Sequence, residues 1–258
     1  MPEIGELADI NAEDAANDDK CPFCYKKAHA FDDKAAEPDP QVKSKPRNLR
    51  CNVVPGGAAG SHTTAQHHLI SAKQCYERVR RLVRMASMVG YDINAPANGI
   101  GLPTIWNPYK GKKYADLDDK EKQRVANNVM KQTGAQWHVG HHAFEVAIPD
   151  NWHDDAEADD QEQPHLASYD TEVINQLLAL LQNWLDTPPC GDEENHKGLI
   201  KDLNALSDVI KEKLQHFATP MPWYSAPYFV SDRAFRYAGT EFDEAQSSVQ
   251  PKKKVKLG

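Results

Sequence analysis

Three short segments carry the residue types from which a hydrolytic metal site is built: Gln66-His67-His68-Leu69-Ile70, Asn98-Gly99-Ile100, and His138-Val139-Gly140-His141-His142. Five of the eleven histidines fall in the first and third of them. Side chains of neighbouring residues on an extended segment point in opposite directions. A His-His dipeptide can therefore offer a metal ligand on one side and a proton acceptor on the other. Phosphodiester hydrolysis needs both. A divalent cation withdraws charge from the phosphate and stabilises the departing oxygen, while a base near neutral pKa takes the proton from water. The dipeptide alone leaves open which histidine plays which part. Two further ligands should come from a pair one helical turn apart, and His138 and His142 stand at i and i+4, on one face of a helix. His141 points away from that face.

The charge distribution suits a polyanionic substrate. The chain has a formal net charge of −8, but residues 41–149 hold 16 Lys and Arg against 7 Asp and Glu, and the remainder holds 14 against 31. The segment with all three motifs is thus basic and its flanks acidic, a field that steers phosphate towards the site. Arg78, Arg81 and Arg84, with Lys110, Lys112 and Lys113, are the candidate phosphate contacts.

The elements that must position these groups follow from periodicity. Thr63 to Ser71 reads as a strand carrying the histidine pair, and Ile100 to Pro103 as a second, short strand after the turn-rich Asp92–Gly99 loop. Apolar residues recur every three or four positions from Lys73 to Val89, giving an amphipathic helix that Gly90 stops. A helix is predicted from Asp118 to Met130, and the third motif at a helix start. Two longer helices, Tyr169–Leu185 and Leu199–Phe217, flank Pro188-Pro189 and pair as an antiparallel hairpin. The expected fold class is α+β, mainly helical. Its divisions are an acidic, flexible segment over 1–50, a core over 51–150, a helical region over 151–240 behind an acidic linker, and a basic disordered tail over 241–258.

Cys21-Pro22-Phe23-Cys24 could close a turn on a structural Zn²⁺, with His29 and Cys51 as distant partners, although no second ligand pair stands at zinc spacing. Five cysteines at irregular spacing indicate a reducing compartment. No apolar run is long enough to span a membrane and no cleaved export signal is visible. The closing Pro251-Lys252-Lys253-Lys254-Val255-Lys256 has the composition of a nuclear-import signal and is read as a disordered basic tail.

Taken in order, Ala65-Gln66-His67-His68-Leu69-Ile70, then Gly90-Tyr91-Asp92-Ile93-Asn94 and Asn98-Gly99-Ile100-Gly101-Leu102-Pro103, then His138-Val139-Gly140-His141-His142-Ala143-Phe144 resemble the AHH nuclease toxins of the HNH and endonuclease VII superfamily. The resemblance covers roughly residues 60–150, with Gln66 standing between Ala65 and the histidine pair. It implies a ββα-metal core, to which the C-terminal helical hairpin is an addition. It assigns His68 as general base and His67 as metal ligand, joined by His142 and His138, with Asn98 orienting the base or bracing the loop. The implied cofactor is one divalent ion (Mg²⁺, Mn²⁺, Zn²⁺ or Ni²⁺). The implied activity is DNA cleavage with little sequence specificity, by an effector of bacterial competition such as type VI secretion. It would be held cytoplasmic in its producer, neutralised by a cognate immunity protein, and delivered through a carrier or adaptor without a signal peptide.

Two other readings compete. A zinc deaminase requires His-x-Glu followed by Pro-Cys-x-x-Cys, whereas here the Cys-x-x-Cys turn precedes every histidine. A non-catalytic, metal-stabilised adaptor or interaction module of a secretion system is the alternative that the acidic flanks and the helical hairpin suit.

Overall fold

The structure is a computed structural model, and it describes residues 4–26, 62–104, 113–138, 145–148, 165–185, 193–215 and 228–238. These form a mixed α+β fold that is mostly helical. In order they are α1 (Ile4–Ala15), β1 (Thr63–His68), α2 (Arg80–Met88), β2 (Gly99–Thr104), α3 (Asp119–Thr133), β3 (Glu145–Ile148), β4 (His165–Ser168), α4 (Tyr169–Leu185) and α5 (Glu193–Gln215), with α6 over 232–238. The two sheets are antiparallel pairs. β1 runs beside β2 with His67 opposite Ile100 and His68 opposite Gly99, and β3 runs beside β4.

Local chemistry explains the element ends. Asp118 caps α3 by accepting from the Glu121 amide at 2.7 Å, and the helix closes where Gly134 turns left-handed at φ 71°. Gly90, at φ 78°, ends α2 the same way. The helix predicted from Lys73 is divided. A 3₁₀ turn at Tyr76–Arg78 and a non-helical Val79 come before α2. Gly198 lies where α5 passes the end of α4, and any Cβ there would sit 3.3 Å from the Trp184 indole. That indole also donates to Asp202 at 3.0 Å, so the last turn of α4 meets the first turns of α5, as a hairpin requires.

One apolar cluster joins parts of the chain expected to be separate. Leu69, Ile70, Leu82, Met85, Ile100 and Leu102 pack in a single core with Val173, Leu177, Leu203, Ile210 and Leu214. The acidic stretch read as a domain boundary therefore does not divide the hydrophobic interior. A smaller cluster sits around Trp137, between α3 and α6. Gln136, fully buried, ties these regions by donating to the Tyr228 carbonyl at 3.1 Å and accepting from the Val230 amide at 2.9 Å. No helix among the described residues is long and apolar enough to cross a membrane.

The N-terminal segment differs from the flexible lead expected of it. α1 lays Leu7 and Ile10 against the core and buries Asp14 completely. The Asp14 carboxylate accepts from Arg84 at 2.7 Å, Arg80 at 3.2 Å and the Tyr25 hydroxyl at 3.3 Å, while Asp18 pairs with Arg80. An amphipathic pattern this weak is hard to see amid the acidic composition, because its decisive group is a buried carboxylate whose partners lie far along the chain. Asp14→Ala is expected to lower unfolding free energy by about 2–3 kcal/mol, read as an earlier urea midpoint, since Arg80 and Arg84 lose their buried carboxylate partner and keep only the exposed Asp18.

Candidate functional site

Alternation along β1 sends the two adjacent histidines to different partners. His67, 3% exposed, has its ring 5.3 Å from that of His138 between centroids, in an edge-on arrangement. On its other side His67 Nε2 lies 3.3 Å from the Tyr169 hydroxyl. His68, 8% exposed, turns instead to the loop, with Nε2 3.0 Å from Asn94 Oδ1. An amide oxygen only accepts, so His68 carries its proton on Nε2 and presents Nδ1 as the lone-pair nitrogen. Asn94 is itself set by a local turn in which its amide donates to Asp92 Oδ1 at 2.9 Å.

His138 reaches the pair from the far end of α3. Its backbone is not helical at this point. Its amide donates to the Pro103 carbonyl at 2.7 Å, and its carbonyl accepts from the Thr104 hydroxyl at 3.0 Å. The i,i+4 relation to His142 falls on residues 139–142, outside the described residues, as do Lys110 and Lys112. Among the described residues no three His, Cys, Asp or Glu side chains form a ready metal cage, and His67 with His138 makes a converging pair.

Burial tunes both rings towards neutrality. Desolvation draws the His138 pKa down to about 4 from an ordinary 6.5. His68 is also lowered, chiefly by desolvation, against the raising effects of its Asn94 bond and of Asp92. Neutral imidazole is the form that ligates a metal or accepts a proton. His67 and His138, two of the three anticipated ligands, stand side by side, and His138 is in the neutral form that ligation requires.

The chain matches no protein-family model, no curated protein and no solved structure.

Asn98 lies fully buried and every polar atom of its side chain is used. Oδ1 accepts from the Ile70 amide at 2.8 Å and from Ser207 Oγ at 3.1 Å, while Nδ2 donates to the Ile70 and Ile93 carbonyls at 3.0 and 2.9 Å. Of the two roles considered for Asn98 this geometry is bracing, and the amide beside the imidazole of His68 belongs to Asn94. The Asp-Ile-Asn turn is the sequence signal for Asn94, and the Asn98-Gly99-Ile100 motif is that for Asn98. Tyr169 carries no such signal.

The basic residues divide. Arg78 and Lys113 are exposed. Arg81 is a correction. It is buried, donates to the Pro22 carbonyl at 2.7 Å, and stacks 3.7 Å from the Tyr25 ring centroid. Arg84 is committed to Asp14 and to carbonyls of residues 17, 18 and 20. Both hold the N-terminal segment and are not placed to grip phosphate. The charge run was legible, but its partners were not.

Cys21 is buried and Cys24 half-buried, both as thiols, in a turn closed by the Tyr25 amide on the Cys21 carbonyl at 2.8 Å. The distant partners considered for zinc, His29 and Cys51, lie outside the described residues. Among those described, the turn's carbonyls serve Arg81.

A pH dependence follows for the metal-free protein. In the unfolded chain His138 binds its proton near 6.5, while in the fold it does so only near 4. The unfolded state holds more protons across that window, so stability falls as pH drops from 6.5 towards 4, by as much as roughly 3 kcal/mol, and stays low below it. His68 adds in the same direction. His138→Gln is expected to flatten the dependence of the urea midpoint on pH across that interval.

Proposed function

We propose that this protein is a divalent-metal-dependent endonuclease that hydrolyses DNA phosphodiester bonds with little sequence preference, acting as a delivered toxin of the HNH/AHH type. The observation that carries the reading is the meeting of His67 and His138, from distant parts of the chain, at 5.3 Å between ring centroids beside an Asn94-anchored His68. β1 and β2 would be the two strands of a ββα-metal motif.

The ion would be held by His67 and His138, with His142 as the third ligand. When bound it would withdraw charge from the scissile phosphate and stabilise the leaving oxygen. The rest is the work of the chain's own groups. His68 accepts the proton of the attacking water at Nδ1, and Asn94 fixes the ring by holding Nε2–H. Burial keeps that imidazole unprotonated near neutral pH, as a base must be. Arg78 and Lys113 supply phosphate contacts. Reversing either charge is expected to reduce the slope of log affinity against log salt by about 1, equally for unrelated sequences. A cognate immunity protein and a secretion carrier belong to the same proposal.

The test is supercoiled plasmid incubated with the purified protein and Mg²⁺, Mn²⁺, Ni²⁺ or Zn²⁺ in turn, with RNA as parallel substrate. Nicking quenched by EDTA is the expected result. Thermal stabilisation by metal without cleavage of either nucleic acid would overturn the enzyme and leave the adaptor reading.

A further inference from the structure

Two side chains from the C-terminal helices brace the segment after the histidine pair, and one of them, Tyr169, touches a histidine directly. Tyr169 is the first residue of α4, where β4 passes straight into the helix, and it is fully buried. Its hydroxyl donates to the Leu69 carbonyl at 2.6 Å. A phenol has one hydrogen, so its contact with His67 Nε2 at 3.3 Å is one in which the imidazole donates. That places the His67 proton on Nε2 and its lone pair on Nδ1.

The tyrosine is well anchored for such a task. Its ring meets His67 edge-on at 5.7 Å and Tyr228 edge-on at 5.9 Å. The next residue, Asp170, accepts from the Cys75 thiol at 3.4 Å, which ties the start of α4 to the segment after β1. From α5, Ser207 reaches Asn98 Oδ1 at 3.1 Å. Both braces bear on the turn that follows the histidine pair.

We propose that Tyr169 is a positioning residue that fixes the tautomer and ring angle of His67 for metal binding, so that the C-terminal hairpin is a working part of the site. The proposal rests on the reading of His67 as a metal ligand. Ligating histidines are commonly set by a partner on the second ring nitrogen, and losing that partner costs 10–100-fold in metal affinity. A hydroxyl that donates to a backbone carbonyl while accepting from the imidazole does this without adding charge beside the ion.

The experiment compares wild type, Tyr169→Phe, Ser207→Ala and His67→Ala by two measurements. One is the dissociation constant for Ni²⁺ or Zn²⁺ from calorimetry. The other is the pair of ring-nitrogen chemical shifts of His67 in the metal-free protein, which report the tautomer. Tyr169→Phe keeps the buried ring and is expected to weaken metal binding about 10–100-fold. In that variant the His67 shifts should move from the Nε2–H pattern to a tautomer average. Ser207→Ala loosens the same turn without touching His67, so it should lower the melting temperature and leave the tautomer pattern intact.

Unchanged shifts and unchanged affinity in Tyr169→Phe, with binding abolished in His67→Ala, would overturn the positioning role and leave the nuclease reading standing. A wild-type protein that binds neither ion, or a His67→Ala variant that binds as wild type does, would remove the ligand assignment and this inference with it.

Discussion

His68→Ala is expected to lower the rate of plasmid nicking by about 10²–10⁴-fold, the range a positioned general base supplies. The affinity for divalent ion should change little, because the ring of His68 turns to Asn94 and not to the His67–His138 pair. The separation between these two readouts is the point of the experiment. Loss of both together would indicate a ligand or a folding defect, and full activity would end the assignment of the base. Asn94→Ala should show a milder form of the same pattern. It releases the Nε2–H, frees the ring to rotate or exchange tautomers, and lowers turnover without weakening metal binding.

The second large effect concerns stability. Asn98→Ala removes four hydrogen bonds at once from a fully buried position. The Ile70 amide and carbonyl and the Ile93 carbonyl would lose the partner that this side chain provides. Each buried group left unpaired costs about 1–3 kcal/mol, so a total on the order of 4 kcal/mol or more is expected, a large part of the stability of an ordinary domain. The melting temperature should drop by roughly 10 °C or more. Asn98→Asp is the sharper control. It keeps the shape and the Oδ1 acceptor but puts an oxygen in place of the amide nitrogen that donates to the two carbonyls, and it should destabilise almost as much. A melting temperature within a few degrees of wild type in both variants would refute the bracing role.

Much of the architecture could be read from residue order because it depends on periodic burial. The apolar rows Val173, Leu177, Leu181 and Leu199, Leu203, Ile210 lie one or two turns apart, so their helices were visible. The opposite orientations of His67 and His68 followed from the two-residue repeat of a strand. What was not legible was which group meets which across long separations. Arg81 and Arg84 advertise positive charge, but only the fold shows that it is spent on a backbone turn and on Asp14. α1 was missed for the converse reason, since a carboxylate within an acidic stretch gives no hint of being sealed between guanidiniums. Tyr169 resembled any other aromatic at a helix start, and its role depends on where β4 delivers it.

The Tyr169–Leu69 bond bridges 100 residues and the Ser207–Asn98 bond 109. Ribosomes make chains N-terminus first at roughly 5–20 residues per second, so the histidine pair emerges on the order of ten seconds before its braces are synthesised. The half-made polypeptide thus carries the reactive side chains without the parts that set them. Under the nuclease reading proposed above, competence would arrive only once the last long helix has been made and docked, an interval in which a neutralising protein would bind first.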